Sequence, residues 1–325
     1  MTQLRYWLSL IIAVIFSCTT AETLELEFPL ECKLGETCFI EDYVDLDPTK
    51  EQIDYRCGIK SRNGHKGVDF GLISQQQMFA GVDVLAAASG KVIALRDGMN
   101  DVIFDSQNLE TIELKECGNG VLLDHDGGWE TMYCHLMMGS ILPKVGESVI
   151  QGEVLGKVGL SGMTTYPHLH FEVTRHGEVQ DPFLPAGSSA CTKQASRGLW
   201  RATPEYFPTG IFTVGFSNKV PTFDDVKSGS ARLKKMTSAT PALVVYGFAF
   251  HSEVGDRMDL KILGPNGVVI EETEHLRKEQ ASLYRAVGKR KPSGGWLEGR
   301  YTATVKLKRG NRIIAVRHSE LVVSD

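Results

Sequence analysis

Three short segments in the first half of the chain carry side chains suited to binding a metal and moving protons. His65-Lys66-Gly67-Val68-Asp69-Phe70 offers an imidazole and a carboxylate. On an ideal strand both point to one face, yet they stand about 13 Å apart, too far to share an ion. A bend is required between them, and Gly67 is placed to supply it. Tyr166-Pro167-His168-Leu169-His170-Phe171-Glu172-Val173 reads as a strand with His168 and His170 on one face and Leu169, Phe171 and Val173 on the other, apolar face. In Tyr133-Cys134-His135-Leu136 the same alternation puts Tyr133 and His135 on one face and turns Cys134 and Leu136 inward. Each segment alone has a plainer reading: a surface turn, a polar strand face, a structural histidine. Together they supply four histidines and one aspartate. That is enough for the three protein ligands of a zinc site open to water, with two residues left to handle protons. His125, His176, His251, His275 and His318 lack such company and are expected to be structural.

The elements that must position these residues read as mainly β. Short apolar or alternating runs, set apart by Gly and Asn turns, mark strands at 90–95, 120–123, 148–150 and 153–158. Glycines recur through 145–162 (VGESVIQGEVLGKVGLSG), as tight turns with positive φ require. No long amphipathic helix stands out before residue 190. Residues 191–214 read as a connector that packs locally, with Trp200, Tyr206 and Phe207 among turn formers. Beyond it, strands are expected at 230–236, 242–250, 257–263, 267–272, 281–287, 300–308, 312–317 and 319–323. Their number and shortness suggest an immunoglobulin-like β-sandwich over 215–325.

Composition is that of a globular protein, with 42% hydrophobic and 23% charged residues, so extended disorder is not expected. Arg5, the apolar run Trp7 to Phe16 and the small residues Thr19-Thr20-Ala21 make residues 1–21 an expected export signal, too short to span a bilayer. Phe16 fits poorly with the rival reading of Cys18 as a lipid-modified cysteine. Removal of that segment leaves Cys32, Cys38, Cys57, Cys117, Cys134 and Cys191, an even set that suggests disulfides and an oxidising compartment, periplasmic or extracellular. The pairing is open, with Cys32–Cys38 and Cys117–Cys134 the expected close pairs. Charge is uneven: residues 206–325 carry +7 and residues 22–205 carry −13. The basic half could favour an anionic polymer such as a wall glycan, although solvated faces of a β domain are the better explanation. Nothing else points to nucleic acid.

HKGVDF, YCHL and YPHLHFEV, with GNGVLLDHDGG and VGESVIQGEVLGKVGLSG between them, resemble the lysostaphin-like (LytM or beta-lytic) metallopeptidases over residues 55–184. The resemblance implies an antiparallel-sheet peptidase domain, here within 22–190, holding one Zn2+ per chain. It assigns His65, Asp69 and His170 as metal ligands, and so separates His170 from His168, which spacing alone does not. It assigns His135 and His168 to catalysis. It also implies hydrolysis of peptide bonds in peptidoglycan, with glycine-rich proteins or a catalytically silent wall-binding role as alternatives. Silent members are expected to lack a ligand, and here all three are present. A further alternative makes the sandwich the working part, as an adhesion or binding module. One departure is the missing tyrosine that some relatives carry shortly before the first motif; Tyr55 and Tyr166 are the candidates to replace it. Few residues separate the expected cleavage site from His65, so control by release of a large pro-segment is not expected.

Overall fold

Alternation along the chain builds the first domain. In the computed structural model, residues 24–105, 112–184 and 197–325 are described. The expected export signal, Cys18 and Cys191 lie outside them. The first domain runs β1 (Cys38–Asp42), β2 (Val68–Leu72), α1 (Gln75–Ala80), β3 (Asp83–Leu85), β4 (Gly90–Arg96), β5 (Asn119–His125), β6 (Trp129–Leu136), β7 (Ser148–Val149), β8 (Val154–Lys157), β9 (His168–Arg175) and β10 (Glu178–Val179). Among the described residues an antiparallel sheet takes the order β1-β2-β9-β6-β5-β4-β7, with β10 on β9, and β3 pairs β8 in a small second sheet. The strands expected at 90–95, 120–123, 148–150 and 153–158 all form.

Every second residue of the central strands enters one core. Leu169, Phe171 and Val173 of β9 meet Trp129 and Tyr133 of β6 and Val68 and Phe70 of β2, all at most 2% exposed. Burying each such side chain contributes about 1.5–3 kcal/mol, so the register of β9 is strongly set. A one-residue slip would carry His168 and His170 into that core. Trp200, from the stretch read as a connector, seals it beside Phe171 and Phe183.

Cys32–Cys38 and Cys117–Cys134 are disulfide-bonded as expected, and Cys57 is disulfide-bonded as well.

The second domain is also β. It comprises β11 (Gly210–Ser217), α2 (Phe223–Ser228), β12 (Lys235–Met236), β13 (Ala242–Ser252), β14 (Arg257–Gly264), β15 (Gly267–His275), β16 (Gln280–Arg290), β17 (Gly299–Arg309) and β18 (Arg312–Val323). Among the described residues these strands form two sheets, β11-β13-β16 and β12-β18-β17-β14-β15. β11 begins inside the stretch read as connector, and the runs at 312–317 and 319–323 are one strand. The two domains meet across an aromatic seam in which Phe39 and Tyr166 pack on Phe212, Tyr246, Phe248 and Phe250. No helix of the described residues is long and apolar enough to cross a membrane.

Candidate metal centre

β2 and β9 are neighbours, and their register sets Asp69 opposite His170 and Gly71 opposite His168. His65 stands before β2, where the chain bends at Gly67. That bend removes the distance problem of an extended segment, and His65 Nε2 comes within 3.1 Å of Asp69 Oδ1. Gly67 is needed there for room and not for a left-handed φ, which it does not adopt. A Cβ at Gly67 would lie 2.7 Å from the His170 ring and 2.7 Å from the Phe171 carbonyl oxygen.

His65 Nε2, Asp69 Oδ1 and His170 Nδ1 converge. His170 Nδ1 is 2.8 Å from Asp69 Oδ1 and 3.2 Å from His65 Nε2. These three residues form a potential metal site, with ligand atoms all within 4.8 Å of one another. The tautomers suit the task. His65 Nδ1–H donates to the Tyr43 carbonyl at 2.8 Å, which leaves the Nε2 lone pair facing the centre. Against burial, which raises it, the charges of His168 and His65 and hydrogen bonds from His170 and His65 hold the Asp69 carboxyl well below its ordinary range. Against burial, which lowers it, hydrogen bonds to Asp69 and Glu172 lift His170 to about 9. A proton at His170 stands in for the cation that an acidic, nitrogen-rich centre attracts, and a bound metal would displace it.

His135 and His168 stand at the rim, their ring centroids 4.7 Å apart. His168 Nδ1–H donates to the Tyr166 carbonyl at 2.9 Å, and its Nε2, buried and without a hydrogen-bond partner, lies 3.6 Å from Asp69 Oδ1. A buried polar atom left unpaired is costly unless another group completes it. Here the orphaned nitrogen faces the centre where an ion and its water would sit. His135 Nδ1–H donates to the Ser161 carbonyl at 2.8 Å. Burial, together with the charges of neighbouring histidines, pushes His135 well below the ordinary histidine range. Burial also lowers His168. Lowered in this way, both rings favour the form in which Nε2 is a proton acceptor.

The arrangement of β6 corrects the expected alternation. Tyr133 does not share a face with His135: it points into the core against Phe171 and its hydroxyl accepts from the Ala87 N–H. Cys134, opposite His170, lies on the cleft side, bonded to Cys117. A left-handed residue at His135, φ 62°, then breaks the period and swings the imidazole to that same side. Tyr55 and Tyr166 do not replace the tyrosine of some relatives. Tyr55 stacks on Phe183, and Tyr166 is turned into the seam between domains. Sequence reasoning missed Arg62, which pairs with Asp69 Oδ2 and lines the cleft. It also missed the carbonyls of Tyr43, Ser161 and Tyr166, which carry no side-chain signal at all.

The four histidines open onto a cleft of about 580 Å³, lined also by Lys66, Glu116, Met132, Met163 and Glu172. The model of peptidase family M23 matches residues 63–182, the stretch that holds all five polar residues of the centre. Residues 63–182 are therefore a peptidase family M23 domain. The M23 domain is 33% identical over 116 residues to the cell division protein DipM of Caulobacter vibrioides, covering 36% of this chain and 18% of that protein. It is 36% identical over 85 residues to the DD-carboxypeptidase/endopeptidase Mpg of Neisseria meningitidis, covering 26% and 19%. It is 29% identical over 142 residues to the peptidoglycan DD-endopeptidase ShyB of Vibrio cholerae, covering 43% and 28%. The chain thus spans about a fifth to a quarter of the length of these relatives. Among solved structures, the catalytic domain of the antimicrobial peptidase lysostaphin from Staphylococcus simulans aligns with 43% of this chain and 85% of its own, at 25% identity and a TM-score of 0.27.

Proposed function

We propose that this chain is an exported zinc metalloendopeptidase that hydrolyses peptide bonds of bacterial peptidoglycan. One observation carries the reading: His65, Asp69 and His170 converge on a single point, with His135 and His168 beside it in an open cleft. Two imidazole nitrogens and one carboxylate, with space for water, are the donor set of catalytic zinc. A zinc ion held there supplies Lewis acidity and a water acidified to a pKa of about 7.

The chain's own residues do the rest. His168 and His135 each hold one ring N–H on a backbone carbonyl, so each offers its Nε2 to a proton without having to turn. One of them takes a proton from the attacking water and returns it to the leaving amine; the other, once protonated, donates to the developing oxyanion. Glu172 Oε2, 3.7 Å from His170 Nε2, orients that imidazole from its far side.

The substrate class rests on the relatives, two of which are named as peptidoglycan or D,D-acting endopeptidases. The disulfides support a location outside the cytoplasm. In the second domain, the sheets β11-β13-β16 and β12-β18-β17-β14-β15, with β12 running parallel to β18, support an immunoglobulin-like sandwich, and the net positive charge of residues 206–325 suits an anionic wall polymer. The domain limits proposed here are 22–190 for the peptidase, 191–214 for the connector and 215–325 for the sandwich. The test is incubation of the purified chain with defined peptidoglycan fragments, with and without a chelator, and identification of the cut bond by mass spectrometry. Cleavage that persists after complete metal removal would overturn the reading.

A further inference from the structure

Asp69 has two carboxylate oxygens with different duties. Oδ1 faces His65 and His170, while Oδ2 is paired with Arg62. Arg62 Nε in turn donates to Asp42 Oδ2 at 2.7 Å. Asp42 ends β1, and its Oδ1 lies 3.7 Å from Nε2 of His251, the same nitrogen that donates to the Glu41 carbonyl at 3.1 Å. His251 belongs to β13 of the second domain. A continuous chain of polar contacts therefore leads from the candidate metal centre, through Arg62 and Asp42, into the other domain.

Neighbouring contacts hold that chain in place. Lys60, two residues before Arg62, is 2% exposed, and its ammonium donates to the carbonyls of Ile40 on β1 and Phe207 before β11, each at 2.5 Å. The same ammonium lies 4.5 Å from the Phe250 ring centroid, adjacent to His251. A second route leads to His168. Its Nδ1–H rests on the Tyr166 carbonyl, and the Tyr166 ring packs on Phe212 and Phe248 at 6.2 and 6.0 Å between centroids. His251 also adopts φ 45°, a conformation that costs free energy in a residue with a bulky side chain and persists only where surroundings impose it.

From this geometry we infer that the second β domain is a working part of the metal centre: His251, Asp42 and Arg62 are positioning residues that fix Asp69. The inference rests on the metallopeptidase reading. It differs from a tethered wall-binding module, whose orientation relative to the peptidase would be free. Interfaces between domains of one chain permit motion by default unless they are large and apolar. Here the seam is aromatic, and a buried lysine and the polar relay both cross it. Partners one contact removed from a metal ligand commonly change metal affinity by about 10–100-fold when lost.

The test uses the full chain and zinc alone. His251→Asn keeps a side chain that tolerates positive φ but is too short to reach Asp42. His251→Gln restores an amide donor at about the reach of Nε2. Asp42→Asn removes the charge that holds Arg62. Zinc affinity is measured by competition with a chelator, the visible spectrum of the cobalt-loaded protein reports ligand geometry, and thermal melting of the metal-free forms reports folding. The expected result is affinity about tenfold weaker and a shifted cobalt spectrum for His251→Asn and Asp42→Asn, with recovery in His251→Gln and little change in metal-free melting. Wild-type affinity and spectrum in both His251→Asn and Asp42→Asn would overturn the inference while leaving the metallopeptidase reading intact. Loss of melting temperature with unchanged affinity in the folded fraction would also overturn it. A wild-type chain that binds neither metal would overturn both readings.

Discussion

Replacing Gly67 by alanine adds one methyl group where the structure has no room for it. The added Cβ would stand 2.7 Å from Cε1 and Nε2 of His170 and 2.7 Å from the Phe171 carbonyl oxygen, against ordinary contacts of 3.4 Å and more. About 0.7 Å of separation must therefore be found on two sides at once. The backbone side cannot give freely, because Val68 pairs with Phe171 and Asp69 with His170 in the ladder that aligns the ligands. The ring side can give only by moving His170 from Asp69, 2.8 Å away. Overpacking of this kind costs about 1–3 kcal/mol. Most of it should fall on the metal-bound state, since the ring can rotate away when no ion holds it. At about 1.4 kcal/mol per factor of ten, zinc affinity should drop by about five- to a hundredfold. Thermal stability without metal should fall less, partly offset by about 0.4–1 kcal/mol because alanine restricts the unfolded chain. Chelator competition on wild type and Gly67→Ala, with melting curves of both metal-free forms, measures the two quantities separately. Wild-type zinc affinity in Gly67→Ala would refute the argument that close approach of β2 to β9 places His170.

Other perturbations separate the roles. His65→Ala and Asp69→Ala should lose zinc and hydrolysis together, measured by metal content and release of peptide from wall fragments. His135→Ala should retain zinc while turnover falls by about 10²–10⁴-fold, the usual worth of a positioned proton carrier. The paired change Cys117→Ser with Cys134→Ser should destabilise the fold by about 3 kcal/mol in chemical denaturation, the entropic value of a loop of this size. It should also lower turnover, because the Cys117 carbonyl accepts the His135 N–H at 2.8 Å. Burial, with the charge of Asp54 beside it, raises Asp181 to about 7 in the folded chain. Between the ordinary carboxylate value and that pH, the folded state holds a proton that the unfolded chain has released. This contribution is therefore full in acid and is lost as pH rises through about 7. Asp181→Asn should flatten that fall in a urea series across pH.

The residues of the centre were legible because each sits in a pattern that physical chemistry limits. In β9 the apolar Leu169, Phe171 and Val173 leave one side to His168 and His170, and the burial of the first three confirms the face assigned to the others. The bend at Gly67 was legible from distance alone, as an extended His65 and Asp69 cannot meet. The close cysteine pairs formed as expected too. Alternation failed at His135, where one left-handed residue reverses the face; local propensity carries no trace of a conformation imposed by Cys117 and Ser161 from other loops.

What the chain's own order of residues determined is the mainly β character, the polar face of β9 and the set of side chains able to bind a cation. These follow from periodicity and side-chain chemistry, which are local. What only the folded structure decided is which backbone carbonyl fixes each imidazole tautomer, where the Tyr166 ring points, and that His251, read from sequence as structural, stands 3.7 Å from Asp42. Those depend on contacts between residues far apart in sequence, and Asp42 and His251 acquire their relation only when β1 and β13 are brought together across the seam between domains.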